Sequence, residues 1–261
     1  MSIDHSFIMK LIKTFKDDKR LYFLQEYING KDLFDTLRAM PICGEVEAKF
    51  YIAAFILMLE HLQERGIVHR DLKPENVMID EQGYPKLIDF GTAKFVEGRT
   101  FTIVGTPHYM APEVILGKGY GMSADLWSFG CMCYEFITGQ VPFGEDLEDP
   151  YKVYEAVLTG KVVFPRIFPR HSTICTFIHG LINRNPGLRG TPTSLKTHKF
   201  FKHFEWQDMV HKKLKAPFVN QPEEVTRQIK KSMEVVLREI EREDESLSSK
   251  KKPPKGWDNE F

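Results

Sequence analysis

Between His69 and Asn76 the chain sets an aspartate, a lysine and an asparagine, Asp71, Lys73 and Asn76, into one short polar stretch bounded by apolar runs. That stretch constrains the fold most, because its flanks assign themselves. Ahead of it, Ala48, Ile52, Phe55, Ile56, Leu59 and Leu62 recur at helical spacing and stop at Gly66. This predicts a helix with one buried face that delivers Ile67-Val68 into the loop. Behind it, Val77-Met78-Ile79 and Lys86-Leu87-Ile88 flank Glu81-Gln82-Gly83-Tyr84, the pattern of a hairpin whose second arm ends at Asp89. Asn76 and Asp89 are therefore expected at the same edge of one small ribbon.

The residue types suit phosphoryl transfer, which asks a protein for positioning and charge neutralisation more than for covalent chemistry. A loop carboxylate such as Asp71 can accept a hydroxyl proton, and Lys73 brings a compact positive charge two residues away. Asn76 and Asp89 offer the hard oxygen donors that Mg²⁺ takes. Asp125 opens a second helix, apolar nearly all round from Ala124 through Trp127, Phe129, Met132 and Phe136 to Ile137, with Ser123 expected as its cap and Gly139 as its stop. Such a helix belongs at the centre of a core.

The 261 residues are 42% hydrophobic, with 36 basic and 36 acidic side chains, which suits one soluble globular domain. Zero formal charge argues against broad nucleic-acid binding, so no nucleic-acid partner is expected. The longest apolar run, Tyr51 to Leu59, is too short to cross a bilayer, and the charged amino terminus shows no signal peptide. Cys43, Cys131, Cys133 and Cys175 lack metal-ligand spacing and read as reduced core thiols of a cytoplasmic protein. Gly117-Lys118-Gly119-Tyr120-Gly121 reads as a plain turn.

His69-Arg70-Asp71-Leu72-Lys73-Pro74-Glu75-Asn76, then Asp89-Phe90-Gly91, then Ala111-Pro112-Glu113, resemble the signature set of eukaryotic protein kinases, and the resemblance runs from about Ile3 to Phe218. Gly98 to Glu113, Ala124-Asp125-Leu126-Trp127-Ser128-Phe129-Gly130 and the closing Gly256-Trp257-Asp258-Asn259-Glu260-Phe261 are similar to the AGC group, most of all its cGMP-dependent members. The resemblance implies an α+β kinase fold, with residues 1–28 a remnant of the small lobe and hinge, 29–204 the helical large lobe, and 205–261 a carboxy-terminal extension. It implies a serine/threonine kinase that uses ATP and Mg²⁺.

Carried across by position, the resemblance makes Asp71, Lys73, Asn76 and Thr106 catalytic, with Asn76 and Asp89 as metal ligands. The hinge would be Glu26-Tyr27-Ile28, with Gln25 as gatekeeper; Glu26 and Ile28 would meet the adenine edge, Met78 would floor it, and Asp32 would contact the ribose. Asp32, Glu75 and Glu135 would receive substrate arginines, so protein substrates with basic residues near Ser or Thr are implied. Thr102 would be the activation-loop phosphosite, with Arg70 and Lys94 receiving its phosphate. Ile103, Pro107 and Met110 would shape a pocket for the residue after the phosphoacceptor. Asp125 would brace the catalytic loop, Glu113 and Arg189 would form a buried ion pair, and Leu11, His69 and Phe90 would stack above Asp125.

Two stretches depart from the resemblance. Phe7 to Phe15 and Leu21 to Tyr27 read as the last two strands of a small lobe, while the glycine-rich phosphate loop, the ATP-pairing lysine and the glutamate partner of that lysine are not in the sequence. The expectation is an amino-terminally truncated kinase, inactive by itself, through a shortened gene prediction or as a pseudokinase fragment. A regulatory domain or partner lobe would then lie outside this chain. Residues 222–243 carry Val225, Ile229, Met233, Val236 and Ile240 on one helical face, which reads as a helix packed on the large lobe or binding a partner. Residues 246–255 read as a linker, and Trp257 and Phe261 as an apolar anchor. The alternative to an enzyme is a kinase-fold scaffold that binds partners without transferring phosphate.

Overall fold

The computed structural model describes residues 3–38, 44–169 and 172–219. Cys43, the expected helix at 222–243, the linker, Trp257 and Phe261 lie outside them. In chain order the elements are β1 (Leu11–Lys16), β2 (Leu21–Gln25), β3 (Gly30–Asp32), α1 (Leu33–Arg38), α2 (Glu45–Glu64), β4 (Ile67–Val68), β5 (Val77–Asp80), β6 (Pro85–Leu87), β7 (Lys94–Phe95), α3 (Pro112–Ile115), α4 (Met122–Thr138), α5 (Pro150–Thr159), α6 (Thr173–Leu181), α7 (Pro192–Leu195) and α8 (Trp206–Val210). The strands form three antiparallel ribbons, β1-β2, β3-β5-β6 and β4-β7, among the described residues.

The core is helical, and α2 and α4 cross at its centre. Glu45 and Glu47 open α2 with negative charge at the positive end of the helix dipole. The expectation of one buried face is corrected here. Every residue from Phe50 to Leu59 is buried, because α2 also meets α7, α8, β4 and β6 and so is covered on all sides. Helix α4 is buried all round, from Ala124 to Tyr134 without a break. Gly130 lets it approach α6, since a Cβ there would fall 2.7 Å from the Leu181 Cβ. At the other end Gly139 stops the helix with φ at 74°, a left-handed turn that costs glycine little.

Two further expectations change. The cap of α4 is Gly121, and Ser123 lies inside the first turn, where its carbonyl accepts from Arg189 Nη1 at 2.7 Å. The strand expected from Phe7 begins only at Leu11, and the second stops at Gln25. Phe7, Ile8 and Met9 run instead along β6: Leu87 N–H donates to Phe7 O at 2.8 Å and Met9 N–H to Leu87 O at 2.9 Å. Phe7 and Ile8 are buried by that contact, which binds the segment to the helical body.

The segment after α8 packs on the same body. Phe218 stacks on Tyr51, the ring planes 3° apart, and the Tyr84 hydroxyl donates to Leu214 O. No described helix is long and apolar enough to cross a membrane.

Candidate active site

The loop between β4 and β5 is fixed from beneath by α4. Buried Asp125 accepts from His69 N–H at 2.7 Å and from Arg70 N–H at 2.9 Å, one backbone donor to each carboxylate oxygen. Burial pushes the Asp125 carboxyl up to about 6, against the two backbone donors and the Arg70 charge that pull it down. Arg70 stands at φ 73° and Asp89 at φ 54°, a left-handed backbone that non-glycine residues rarely adopt. Such strain persists where surrounding contacts over-determine it. Here the Asp125 bond holds Arg70, and the Gly91 N–H donates to Asp89 Oδ1 at 3.0 Å.

Asp71 gathers the expected partners. Thr106 donates to its Oδ1 twice, through the backbone N–H at 2.9 Å and the hydroxyl at 2.7 Å. Lys73 Nζ donates to the Thr106 hydroxyl at 2.9 Å and lies 3.3 Å from Asp71 Oδ2. Asn76 Nδ2 donates to Asp71 O at 2.8 Å and reaches Oδ2 at 3.3 Å. One oxygen of Asp71 is therefore tightly bonded. The other has only two long contacts and keeps capacity for a further donor.

Asn76 and Asp89 share the ribbon edge, where Ile88 N–H donates to Asn76 O at 2.9 Å. With its amide nitrogen spent on Asp71, Asn76 turns its side-chain oxygen away, and Asp89 keeps an exposed carboxylate. No group of three His, Cys, Asp or Glu side chains could hold a metal ion among the described residues. Two hard protein oxygens fit a cation such as Mg²⁺ that draws its other ligands from phosphate and water.

The other predicted positions fall into three places. In the β3-β5 register Asp32 lies opposite Met78, and Asp32 Oδ1 accepts from Asp35 N–H at 2.6 Å. Ile28 is buried, and Gln25 closes β2. Glu26 is anchored by its side chain, which accepts from Lys86 Nζ at 2.5 Å and from Lys10 N–H at 2.9 Å. Burial raises the Glu26 carboxyl, and these two donors more than offset it, so the net shift is downward. Glu135 accepts from the Tyr109 hydroxyl at 2.7 Å. Burial first, then the charge of Glu135 and its hydrogen bond, then the charge of Glu75, push that phenol far above its ordinary range, so both acids border one neutral ring. β3, which ends at Asp32, packs against the Pro74–Asn76 turn that carries Glu75.

In the activation segment Thr102 is exposed and Thr100 is buried. Lys94 Nζ donates to the Thr100 hydroxyl at 3.3 Å, and Arg70 Nε to Thr92 O at 2.5 Å. Neither cation meets the Thr102 side chain in this state. Ile103 is exposed while Met110 is buried beside Tyr109. Glu113 and Arg189 form a two-pronged ion pair at 2.6 and 2.8 Å, with Arg189 only 1% exposed. The expected column is shortened: His69 and Phe90 meet edge to face at 5.1 Å, but Leu11 is 46% exposed on a hairpin outside the packed core.

Sequence reasoning missed Lys86, Tyr109 and Tyr120. Each pairs with a residue 18 to 60 positions away, and no local pattern announces such a contact.

The loop braced by α4, the Asp71-Thr106-Lys73 contacts and the Asn76-Asp89 edge share one lobe with the sequence signature. Residues 1–201 match the family described as protein kinase domain, and the chain belongs to that family, with its α+β kinase fold. Among curated relatives, it is 43% identical over 263 residues to the cGMP-dependent protein kinase of Plasmodium berghei, covering 99% of this chain and 30% of that protein. It is 46% identical over 219 residues to the cGMP-dependent protein kinase of Toxoplasma gondii, covering 82% and 22%. The cAMP-dependent protein kinase catalytic subunit of Dictyostelium discoideum is 40% identical over 221 residues, covering 84% and 34%. The chain thus spans about a third or less of the length of these relatives.

Proposed function

We propose that this chain is the catalytic part of a serine/threonine protein kinase of the cyclic-nucleotide-dependent branch, transferring the γ-phosphate of ATP to hydroxyls of basic protein substrates. The observation that carries the reading is Asp71, whose Oδ1 is fixed by Thr106 while its Oδ2 keeps capacity for a substrate hydroxyl. Asp71 would orient that hydroxyl and take its proton as the phosphoryl group arrives. Lys73, steadied by Thr106, would stabilise the charge on the transferring group. Asn76 and Asp89 would hold Mg²⁺, which when bound neutralises phosphate charge and orients it. Glu26, Ile28, Met78 and Asp32 would line the nucleoside.

Glu75 and Glu135, bordering Tyr109, support selection of arginine, because carboxylates lining one groove favour its bidentate guanidinium. Asp32 would add a third acid. Exposed Thr102 is the phosphosite of this reading; its phosphate would draw Arg70 and Lys94 together and order the segment. Residues 1–28, 29–204 and 205–261 would serve as small-lobe and hinge remnant, large lobe and extension. The sequence contains no glycine-rich phosphate loop or ATP-pairing lysine, so little phosphate transfer is expected from these 261 residues alone. A regulatory element outside this chain and a cytoplasmic setting complete the reading, the latter supported by buried, unpaired Cys131, Cys133 and Cys175.

The test uses the full-length protein with MgATP and an arginine-rich serine peptide. Asp71→Asn should lower kcat by about 10³-fold, within the range for loss of a general base, with ATP affinity retained. Turnover unchanged in Asp71→Asn overturns the assignment. ATP binding without transfer in the unsubstituted protein would favour the scaffold instead.

A further inference from the structure

The Gly117-Gly121 turn hides a buried phenol outside the contacts that gather around Asp71. Tyr120 is 3% exposed and sits just before α4. Its backbone pairs with the activation segment in both directions: Thr100 N–H donates to Tyr120 O and Tyr120 N–H to Thr100 O, each at 2.9 Å. Its hydroxyl donates to Thr102 O at 2.6 Å. Arg70 is held from two sides, its N–H by Asp125 of α4 and its Nε by Thr92 O; burial raises the Tyr120 phenol, and the Arg70 charge pulls it down. One hydroxyl thus ties the main chain of Thr102 to the residue that leads into α4, the helix whose Asp125 holds the Arg70 N–H.

The geometry has a direction. The Tyr120 hydroxyl spends its single proton on the Thr102 carbonyl, so the direction of that bond is fixed by donor and acceptor type. The Thr102 backbone is anchored, whereas its side chain faces solvent. The neighbouring Thr100 hydroxyl is turned inward to Lys94. Only one of the two threonines is therefore presented for modification, and it is held within the neighbourhood of the arginine that would meet its phosphate.

We propose that Tyr120 is a positioning residue for phosphoryl transfer, its hydroxyl clasping the Thr102 main chain to the entry of α4, whose Asp125 holds the catalytic loop, so that the activation segment is laid against that loop before any phosphate is added. This rests on the kinase reading, and it assigns Tyr120 no contact with substrate. The clasp lowers the ordering that phosphate at Thr102 must supply, so its loss weighs most on the unmodified protein.

Tyr120→Phe keeps the ring and the backbone bridge and removes only the hydroxyl. In the full-length protein with unmodified Thr102, amide exchange across residues 99–105 should accelerate about three- to tenfold, while α4 and α6 exchange as before. The peptide KM should rise by a similar factor with ATP KM unchanged. Phosphorylation of Thr102 should narrow the gap between Tyr120→Phe and the unsubstituted protein. Unchanged exchange across 99–105, or acceleration shared equally by α4 and α6, overturns the proposal. Exchange needs no turnover, so an inactive unsubstituted protein would count against the kinase reading while the clasp stands or falls on exchange alone.

Discussion

Helix α4 and the β1-β2 hairpin are both rich in apolar residues, yet they end in opposite surroundings. From Ala124 to Tyr134 the helix buries every side chain, whereas all six residues of β1 are exposed, with Ile12 at 57% and Phe15 at 50%. On β2, Phe23 is 54% exposed. The difference is one of partners. Helix α4 is enclosed by α2, α6 and the turn that leads to Met110, while the hairpin pairs only with itself among the described residues. A two-stranded ribbon cannot cover its own apolar faces, so its hydrogen bonds set its shape and contribute little to the stability of the body. The active-site loop belongs to the helical region, since Asp125 on α4 holds its backbone.

The comparison is broken most directly at the Glu113-Arg189 pair beside α4. Glu113→Ala leaves a guanidinium buried without its carboxylate, and should cost about 3–5 kcal/mol in urea unfolding of this chain. Glu113→Gln, which keeps an acceptor, should cost less. A loss below about 1 kcal/mol for the alanine variant would mean that the helical body is not the stable half.

A middle-sized effect is expected where the segment before the hairpin docks on α2. The His5 ring lies 4.7 Å from His61, and its Nδ1 accepts from Phe7 N–H at 3.2 Å. Burial first, then the charges of His61 and Arg65, lower the His5 pKa from 6.5 to about 4, with Glu60 opposing and Lys86 adding to the fall. The unfolded chain therefore takes up a proton near pH 6.5 that the folded chain refuses until about 4. Stability is full above pH 6.5 and declines as pH falls toward 4. Partial exposure of the site tempers the loss to about 1–2 kcal/mol. Urea midpoints at pH 7 and pH 4.5 should separate more in the unsubstituted chain than in His5→Phe, and equal separations would remove His5 as the cause.

The smallest effect belongs to the hairpin itself. Ile12→Thr should change unfolding free energy by no more than about 0.5 kcal/mol, as for an exposed position with no packing to lose. A cost above about 1.5 kcal/mol would show the hairpin to be an integral part of the core in solution, and would erase the contrast.

Much of this architecture was legible in the chain. Helical spacing through Leu62, alternation on either side of Gly83 and the order of Asp71, Asn76 and Asp89 marked out α2, the β5-β6 hairpin and the loop between them, because each is a local pattern. Gly139 announced the end of α4 for the same reason. The shape of the apolar pattern on α2 did not reveal that it would be covered on every side, since that depends on which elements surround it. Ser123 looked like a cap, yet Gly121 takes that place and the Ser123 carbonyl accepts from Arg189 across 66 residues.

The tertiary structure alone decided what surrounds the reactive groups. Arg70 and Asp89 adopt left-handed backbone that their residue types disfavour, and distant Asp125 holds Arg70 there. Tyr109 meets Glu135 from 26 positions away, Lys86 meets Glu26 from 60, and Tyr120 meets Thr102 from 18. The sequence by itself determined the periodicities and the chemical types, because those reside in neighbouring residues. Which donor finds which acceptor was left to packing, where burial removes water as a competitor and makes each distant partner count.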